Sequence, residues 1–220
     1  MNIKKLLSIL LLLISLLLSA DATAQIIITQ NTTIASNDTS YDNQSIIIDG
    51  ATVTIDGSHP FQDLTLQNGA VLTHSGSTIT TTSQLDLNIV TTLNIDATSK
   101  IDVSGKGYLG AYSGGNNSIY GKTLGNADGS SLASGGSYGG IGSGSSIGNS
   151  PNAVYGDFTN PNELGSGGGG SSGYPGGNGG GLVRIIANSI QLDGEIKGNG
   201  SDSSASGGGS GGGFILMLEV

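Results

Sequence analysis

Asp49, Asp56, Asp63, Asp86, Asp96 and Asp102 crowd the first half of the chain, with His59 and His74 among them. Paired carboxylates at a suitable separation hydrolyse glycosides. A basic residue beside a bound cation performs elimination. A Ser, a His and an Asp brought together transfer acyl groups. The local sequence argues against all three. Asp49, Asp56 and Asp193 each precede glycine, which is turn chemistry, and Asp86 alternates outward from Leu85 and Leu87. Arg184 is the only arginine, His59 adjoins Pro60 as in a turn, and His74 ends a strand with no second His or Cys nearby. No serine stands in a G-x-S-x-G setting. Asp49, Asp56 and Asp63 could set carboxylates at successive corners for Ca²⁺. Neither the EF-hand loop nor the G-G-x-G-x-D nonapeptide is present, so solvated turn aspartates are the expectation. No catalytic residue, metal site or cofactor is expected. The alternative is a polysaccharide-degrading β-helix enzyme.

Whatever positions these residues is built from short strands. "IIIT" at Ile26, "IIID" at Ile46, "LTLQ" at Leu64 and "LDLNIV" at Leu85 open successive lines, each followed by a second strand such as "TVTID" or "TLNID". The line starts Ile46, Leu64 and Leu85 are spaced for a repeat of about twenty residues, a period of solenoids. Apolar residues alternate within strands: Leu85, Leu87 and Ile89, then Leu93 and Ile95, then Ile101 and Val103. Alternation buries one face, and a repeat this short buries it only by stacking on its neighbours. The fold class read from this is all-β, a right-handed parallel β-helix over residues 25–104, in preference to a sandwich or meander. Outward Thr runs such as "TVT" and "TIT" would suit an ice-binding face, but "IIID" and "LDLN" break the ladder.

"LVRIIANSIQLDGEIKGNG" returns to the pattern after a long interruption, with Leu182, Ile190 and Leu192 aligning on Leu85, Leu93 and Ile95. Residues 182–220 are therefore returning rungs, carrying a second Gly-rich insertion at 198–213. Residues 105–181 form the first insertion, with runs such as "GSGGGGSSGYPGGNGGG". A flexible linker would lack the large residues spaced through it, and both ends anchor to adjacent rungs. Extended glycine segments of the polyproline II type pack closely when Gly faces inward, which is the expected state. Tyr108, Tyr112, Tyr138, Tyr155 and Tyr174 are the candidate ligand-contact residues, offering stacking faces and hydroxyls.

Residues 1–24 read as a secretory signal peptide: Lys4 and Lys5, an apolar run, then Ala22 and Ala24 before Gln25. No later apolar run is long enough to span a bilayer, so no membrane span is expected after leader removal. The chain has no Cys, so packing and hydrogen bonds must stabilise it without disulfides. The net charge of −9 becomes −10 without Lys4, Lys5 and Asp21, which disfavours nucleic acid and anionic membrane as partners. Extracellular glycans or neighbouring copies of the chain are the expected partners.

The stretches "LTHSGSTITTTSQLDLNIVTTLNIDATSKIDVSGKGYLG", "GGSYGGIGS", "NAVYGDFTNPNELGSGGGG" and "GNGGGLVRIIANSIQLDGEIKGNG" resemble the glycine-rich modules of large secreted and cell-surface, adhesin-like proteins of bacteria. The resemblance covers roughly residues 60–220 and carries no residue-level activity. It implies an exported, secreted or cell-surface module that is structural and adhesive, making multivalent weak contacts. The chain departs from those modules in being short, and is expected to be a truncated member.

Overall fold

The computed structural model describes residues 25–144, 150–157, 159–171, 173–203, 207–209, 212 and 214–218. The leader read at 1–24 and parts of the second Gly-rich insertion lie outside the described residues. The first strands are β1 (Gln25–Ile28), β2 (Thr32–Ile34), β3 (Ser45–Asp49), β4 (Thr52–Ile55), β5 (Gly57–Phe61), β6 (Asp63–Gln67) and β7 (Val71–Thr73). They are followed by β8 (Leu85–Ile95), β9 (Lys100–Asp102), the short β10 (Lys122–Thr123) and β11 (Ala127–Asp128), then β12 (Val183–Leu192), β13 (Glu195–Lys197) and β14 (Phe214–Leu218). The described residues are all-β apart from a 3₁₀ turn at Leu124–Asn126. Among them, no helix is long and apolar enough to cross a membrane.

Two parallel sheets carry the fold. One runs β1-β3-β6-β8-β12-β14 with β5 also on β8, and the other runs β2-β4-β7-β9-β13. The chain passes from one sheet to the other and back, so each pass lays a strand beside the one from the pass before. Alternation decides which face is inside. Ile46, Ile48, Leu64, Leu66, Leu85, Leu87, Leu93 and Ile95 are essentially fully buried, with Ile34, Val53, Leu72 and Ile101 from the second sheet. They form one continuous apolar cluster between the sheets.

The pairing register differs from the line spacing in the sequence. Ile26 pairs Ile46 and Ile46 pairs Leu64, as the lines suggest. Leu64, however, pairs Leu93 rather than Leu85. Leu85–Ile89 instead pairs Gly57–Phe61, a segment that reads as a turn because of its Gly and Pro. In the structure it is a strand whose His59 and Phe61 point inward while Ser58 is exposed. Pro60 is compatible with it because β5 has its strand partner on the β8 side, and on the other side Pro60 O accepts from the Asn43 N–H at 2.7 Å, a bond that does not use the N–H that Pro lacks. One pass of the chain thus gains an additional strand, and β8 is long enough to serve both β5 and β6.

The return after the insertion pairs β12 with β8. Ile190 lies on Leu93 and Leu192 on Ile95, as the sequence offset requires, but Val183 rather than Leu182 lies on Leu85. The cause is a bulge: Val90 and Thr91 together oppose Asn188 between the pairs Ile89–Ala187 and Thr92–Ser189. The expectation that Leu85, Leu87, Leu93, Ile95, Ile101, Ile190, Leu192 and Ile196 share one interior holds for the first five, which are fully buried, and for Ile190 and Ile196, which pack against that cluster. Ile190 and Ile196 are partly buried, and Leu192 is 44% exposed. The reason is that β14 extends the sheet only over Val183–Ala187, leaving the far half of β12 without a strand beyond it among the described residues.

Candidate functional site

All five tyrosines proposed to touch a ligand belong to the Gly-rich region, where the bonding of residues 165–170 follows a three-residue period. Gly165 and Gly168 donate their N–H groups to Gly180 O and Gly177 O, both at 2.9 Å. Gly167 and Gly170 donate to Lys122 O and Ile119 O, also at 2.9 Å. Gly169 N–H reaches Ser134 O at 2.9 Å, and three residues earlier Ser166 Oγ–H reaches Ser137 O at 2.6 Å. Every third residue therefore addresses the same neighbouring segment. Tyr108 and Ala111 add a further segment by donating to Gly165 O and Gly168 O, both at 3.0 Å.

Glycine is required here by distance. A methyl group at Gly167 would overlap Leu109 O, one at Gly168 would overlap Gly207 O, and one at Gly179 would overlap Gly165 O. The two insertions form one body. Gly177 donates to Gly207 O at 3.0 Å, and Gly207 donates to Gly169 O at 3.1 Å.

The five tyrosines separate into two groups. Tyr108 is 5% exposed and packs with Leu164 and Leu182, with Tyr155 against them. Its hydroxyl accepts from the Gly125 N–H at 3.2 Å. The Tyr155 hydroxyl donates to Leu164 O at 2.5 Å and lies 2.9 Å from Ser166 Oγ. Tyr138 meets the Tyr155 ring edge-on, with centroids 5.3 Å apart. Burial pushes all three phenols above their ordinary pKa, Tyr155 most of all. These three rings are packing for the lattice. Tyr112 is half-buried, and Tyr174 is 56% exposed. Tyr120, absent from the sequence-based candidates, is 39% exposed. Beside the buried tyrosines, Asn152 accepts from Ser137 N–H at 2.8 Å and from Ser130 Oγ at 2.9 Å, and donates to Thr123 Oγ1 at 3.2 Å. Side-chain amides and hydroxyls thus satisfy the polar groups of a region poor in apolar residues.

The acids face each other's turns rather than a common centre. Asp49 accepts from Asn68 Nδ2 at 2.6 Å, and Asp96 accepts from the Asn68 N–H at 2.8 Å. Asp56 takes both the N–H and the hydroxyl of Ser75 at 2.7 Å. Asp63 accepts from Ser45 Oγ at 2.9 Å and from the Thr91 hydroxyl. Asp102 takes Lys100 Nζ at 2.8 Å. The Asn68 N–H, with Ser99 and Thr98, holds the Asp96 carboxyl well below the usual carboxylate range. Among the described residues, no three His, Cys, Asp or Glu side chains gather as metal ligands. An open hollow of about 230 Å³ beside β1, lined by Ile26, Ile28, Thr32 and Tyr41 among others, is below the roughly 300–1,000 Å³ of small-molecule sites.

Both histidines have structural partners. His59, read as a turn residue, is 1% exposed in β5, with Nδ1 2.9 Å from Asp42 Oδ1. His74 is fully buried; Nδ1 lies 2.8 Å from Ser75 O, and Nε2 accepts the Leu182 N–H at 3.2 Å. This pairing fits the neutral ring with its proton on Nδ1, and burial lowers the His74 pKa. The unfolded chain therefore binds a proton at a higher pH than the folded chain does. His74 contributes stability that is present above about pH 6.5 and is lost as pH falls below it. Urea melts between pH 8 and 5 should show wild type losing stability relative to His74→Gln, by at most about 1.4 kcal/mol per pH unit. Parallel pH curves for the two proteins would contradict this.

No protein-family model, curated protein or solved structure matches the chain.

Proposed function

We propose that the chain is an exported surface or extracellular module, structural and adhesive, that binds by many weak contacts to glycans or to other copies of itself. Its scaffold is a right-handed parallel β-helix, and the Gly-rich insertions are a polyproline II-type lattice seated on it. The module is non-catalytic, and its sequence resembles the glycine-rich modules of adhesin-like bacterial proteins. The observation that carries this reading is the three-residue hydrogen-bond period through Gly165–Gly170. A threefold extended segment surrounded by others is rigid, so its turns hold hydroxyls and aromatic rings at fixed spacings. Fixed spacing lets weak contacts add as avidity without the cost of ordering a tether. The parallel ladders shared by successive passes, the commitment of Asp49, Asp56, Asp63 and Asp96 to neighbouring passes and the pairing of Asp102 with Lys100 of its own strand support a supporting rather than a reacting role.

The test has two arms. N-terminal sequencing of protein recovered outside the expressing cell should begin at Gln25, as leader removal requires. Purified chain displayed at high density on beads should retain glycan-coated particles that the same chain free in solution binds weakly. An intact leader in the exported fraction, or density-independent binding, would count against the reading.

A further inference from the structure

Among the described residues, both ends of the paired sheets are uncovered. At one end β1 pairs only β3 and β2 pairs only β4. An open hollow lies beside β1, lined by Ile26, Ile28, Thr32 and Tyr41 among others. At the other end β13 pairs only β9, and β14 covers Val183–Ala187 of β12 but not Ser189–Leu192. The inward side chains Ile190 and Ile196 are only partly buried there, and Leu192 is 44% exposed. β8 shows what a long strand of this kind accepts: β5 lies along its first half and β6 along its second. On β12 only the first of those two places is taken.

The two ends match in spacing. Pairing runs from Ile26 to Ile190, from Ile28 to Leu192 and from Thr32 to Ile196, each time through three strands between. Ile28 and Thr32 are four residues apart, and so are Leu192 and Ile196. The corners between are longer, five residues from Ile48 to Val53 and six from Leu66 to Leu72 and from Ile95 to Ile101. The first pass can therefore sit over the last with both of its strands in register. Charge agrees with this. Residues 25–37 carry no charged side chain, and β1 and β2 lack the Lys or Pro that blunts an exposed edge. Just beyond them, Asp38 accepts from Ser40 and Asp42 is paired with His59. At the other end Glu195 is paired with Lys197, Asp193 accepts from Gln191, and Arg184 lies in the half of β12 that β14 covers. Amide and acid already alternate at these corners: Asn68 donates through Nδ2 to Asp49 at 2.6 Å and through its N–H to Asp96 at 2.8 Å. Asn31, at the first corner, would stand against Asp193, at the last, in the same way. We propose that copies of the chain associate head to tail, the β1–β2 pass of one seating on Ser189–Leu192 and β13 of the next, with Leu192 entering the hollow beside β1. The contact joins unlike surfaces, so each added copy leaves an end for another. This deepens the reading of contact between copies, and rests on it and on leader removal before Gln25.

Sedimentation velocity of the mature chain, beginning at Gln25, tests the contact. Wild type should sediment faster as its concentration rises toward about 1 mM. Asn31→Asp sets an acid against Asp193, and Leu192→Lys sets a charge in the apolar contact. Each should weaken association at least about tenfold. Both side chains are exposed, so both variants should melt as wild type does. Asn31→Asp keeps the shape of the side chain and serves by itself if Leu192→Lys melts early. Each variant retains one intact end, so an equimolar mixture of the two should form dimers and nothing larger. Wild type that stays monomeric, or variants that associate as wild type does, would overturn the proposal and leave the glycan half of the functional reading standing. Self-association of Leu192→Lys alone would mean pairing of like ends through β1, and would overturn it as well. Dimers in the mixture together with a failed bead assay would uphold the contact and remove glycans from the functional reading.

Discussion

A chain carrying alanine at Gly167, Gly168 and Gly169 is expected to lose its cooperative thermal unfolding transition, or to melt far below wild type. Each added methyl group meets backbone: Leu109 O for Gly167, Gly207 O for Gly168 and the Ser131 carbonyl carbon, 2.5 Å away, for Gly169. None of these neighbours is the flexible end of a side chain, so relief requires whole segments to separate. Separation breaks the hydrogen bonds that run in three directions from this stretch. Overpacking typically costs about 1–3 kcal/mol per site, and three adjacent sites approach the roughly 5–15 kcal/mol that stabilises a whole domain. Were residues 105–181 a tether, the sign would reverse. Alanine would then stabilise by about 0.4–1 kcal/mol per site by restricting the unfolded chain. Circular dichroism melts of the triple variant distinguish the two signs. Limited proteolysis gives a second check: wild type should resist cutting between 105 and 181, and the triple variant should be nicked there first. A triple variant as stable as wild type would remove the lattice from the argument for adhesion.

The sequence shows the strands better than it shows their partners. Alternation in "LDLNIVTTLNID" is enough to place Leu85, Leu87, Leu93 and Ile95 inside, because side-chain direction in a strand follows directly from parity. Register is not local in this way. The Gly and Pro of "GSHPF" carry turn signals, and only the partner strand β8 and the burial of His59 and Phe61 make it extended. The bulge opposite Asn188 leaves no compositional mark, yet it moves Leu182 out of the strand cluster and into contact with Tyr108 and Leu164. In the Gly-rich region there is no parity to read. A three-residue period rich in glycine does not say which way a given tyrosine points, so Tyr108 and Tyr174 look equivalent in sequence. One is 5% exposed and the other 56%. The acids were legible in type: Asp49 and Asp56 serve turns, as the glycine after each suggests. Their partners Asn68 and Ser75, which come from later turns of the chain, were not.

Leu93→Ala is expected to destabilise the protein by about 2–5 kcal/mol, the range for emptying a fully buried leucine site. Leu93 is 0% exposed, sits between Leu64 and Ile190 across parallel ladders, and belongs to the cluster that joins both sheets. Its neighbours cannot collapse into the cavity without moving strands that are hydrogen-bonded on both sides, which places the cost toward the upper part of that range. Leu192→Ala removes the same atoms from a side chain that is 44% exposed and has no strand beyond it among the described residues. It should cost only about 1 kcal/mol, the share of transfer energy still buried. Leu93→Met keeps the volume and should cost less than about 1.5 kcal/mol. Urea unfolding of the three variants separates packing from composition, since two of them delete the same groups and differ only in burial. Equal costs at positions 93 and 192 would mean that the stack is covered beyond β12. A small cost at both would mean that Leu93 does not lie between the strands of the passes before and after it.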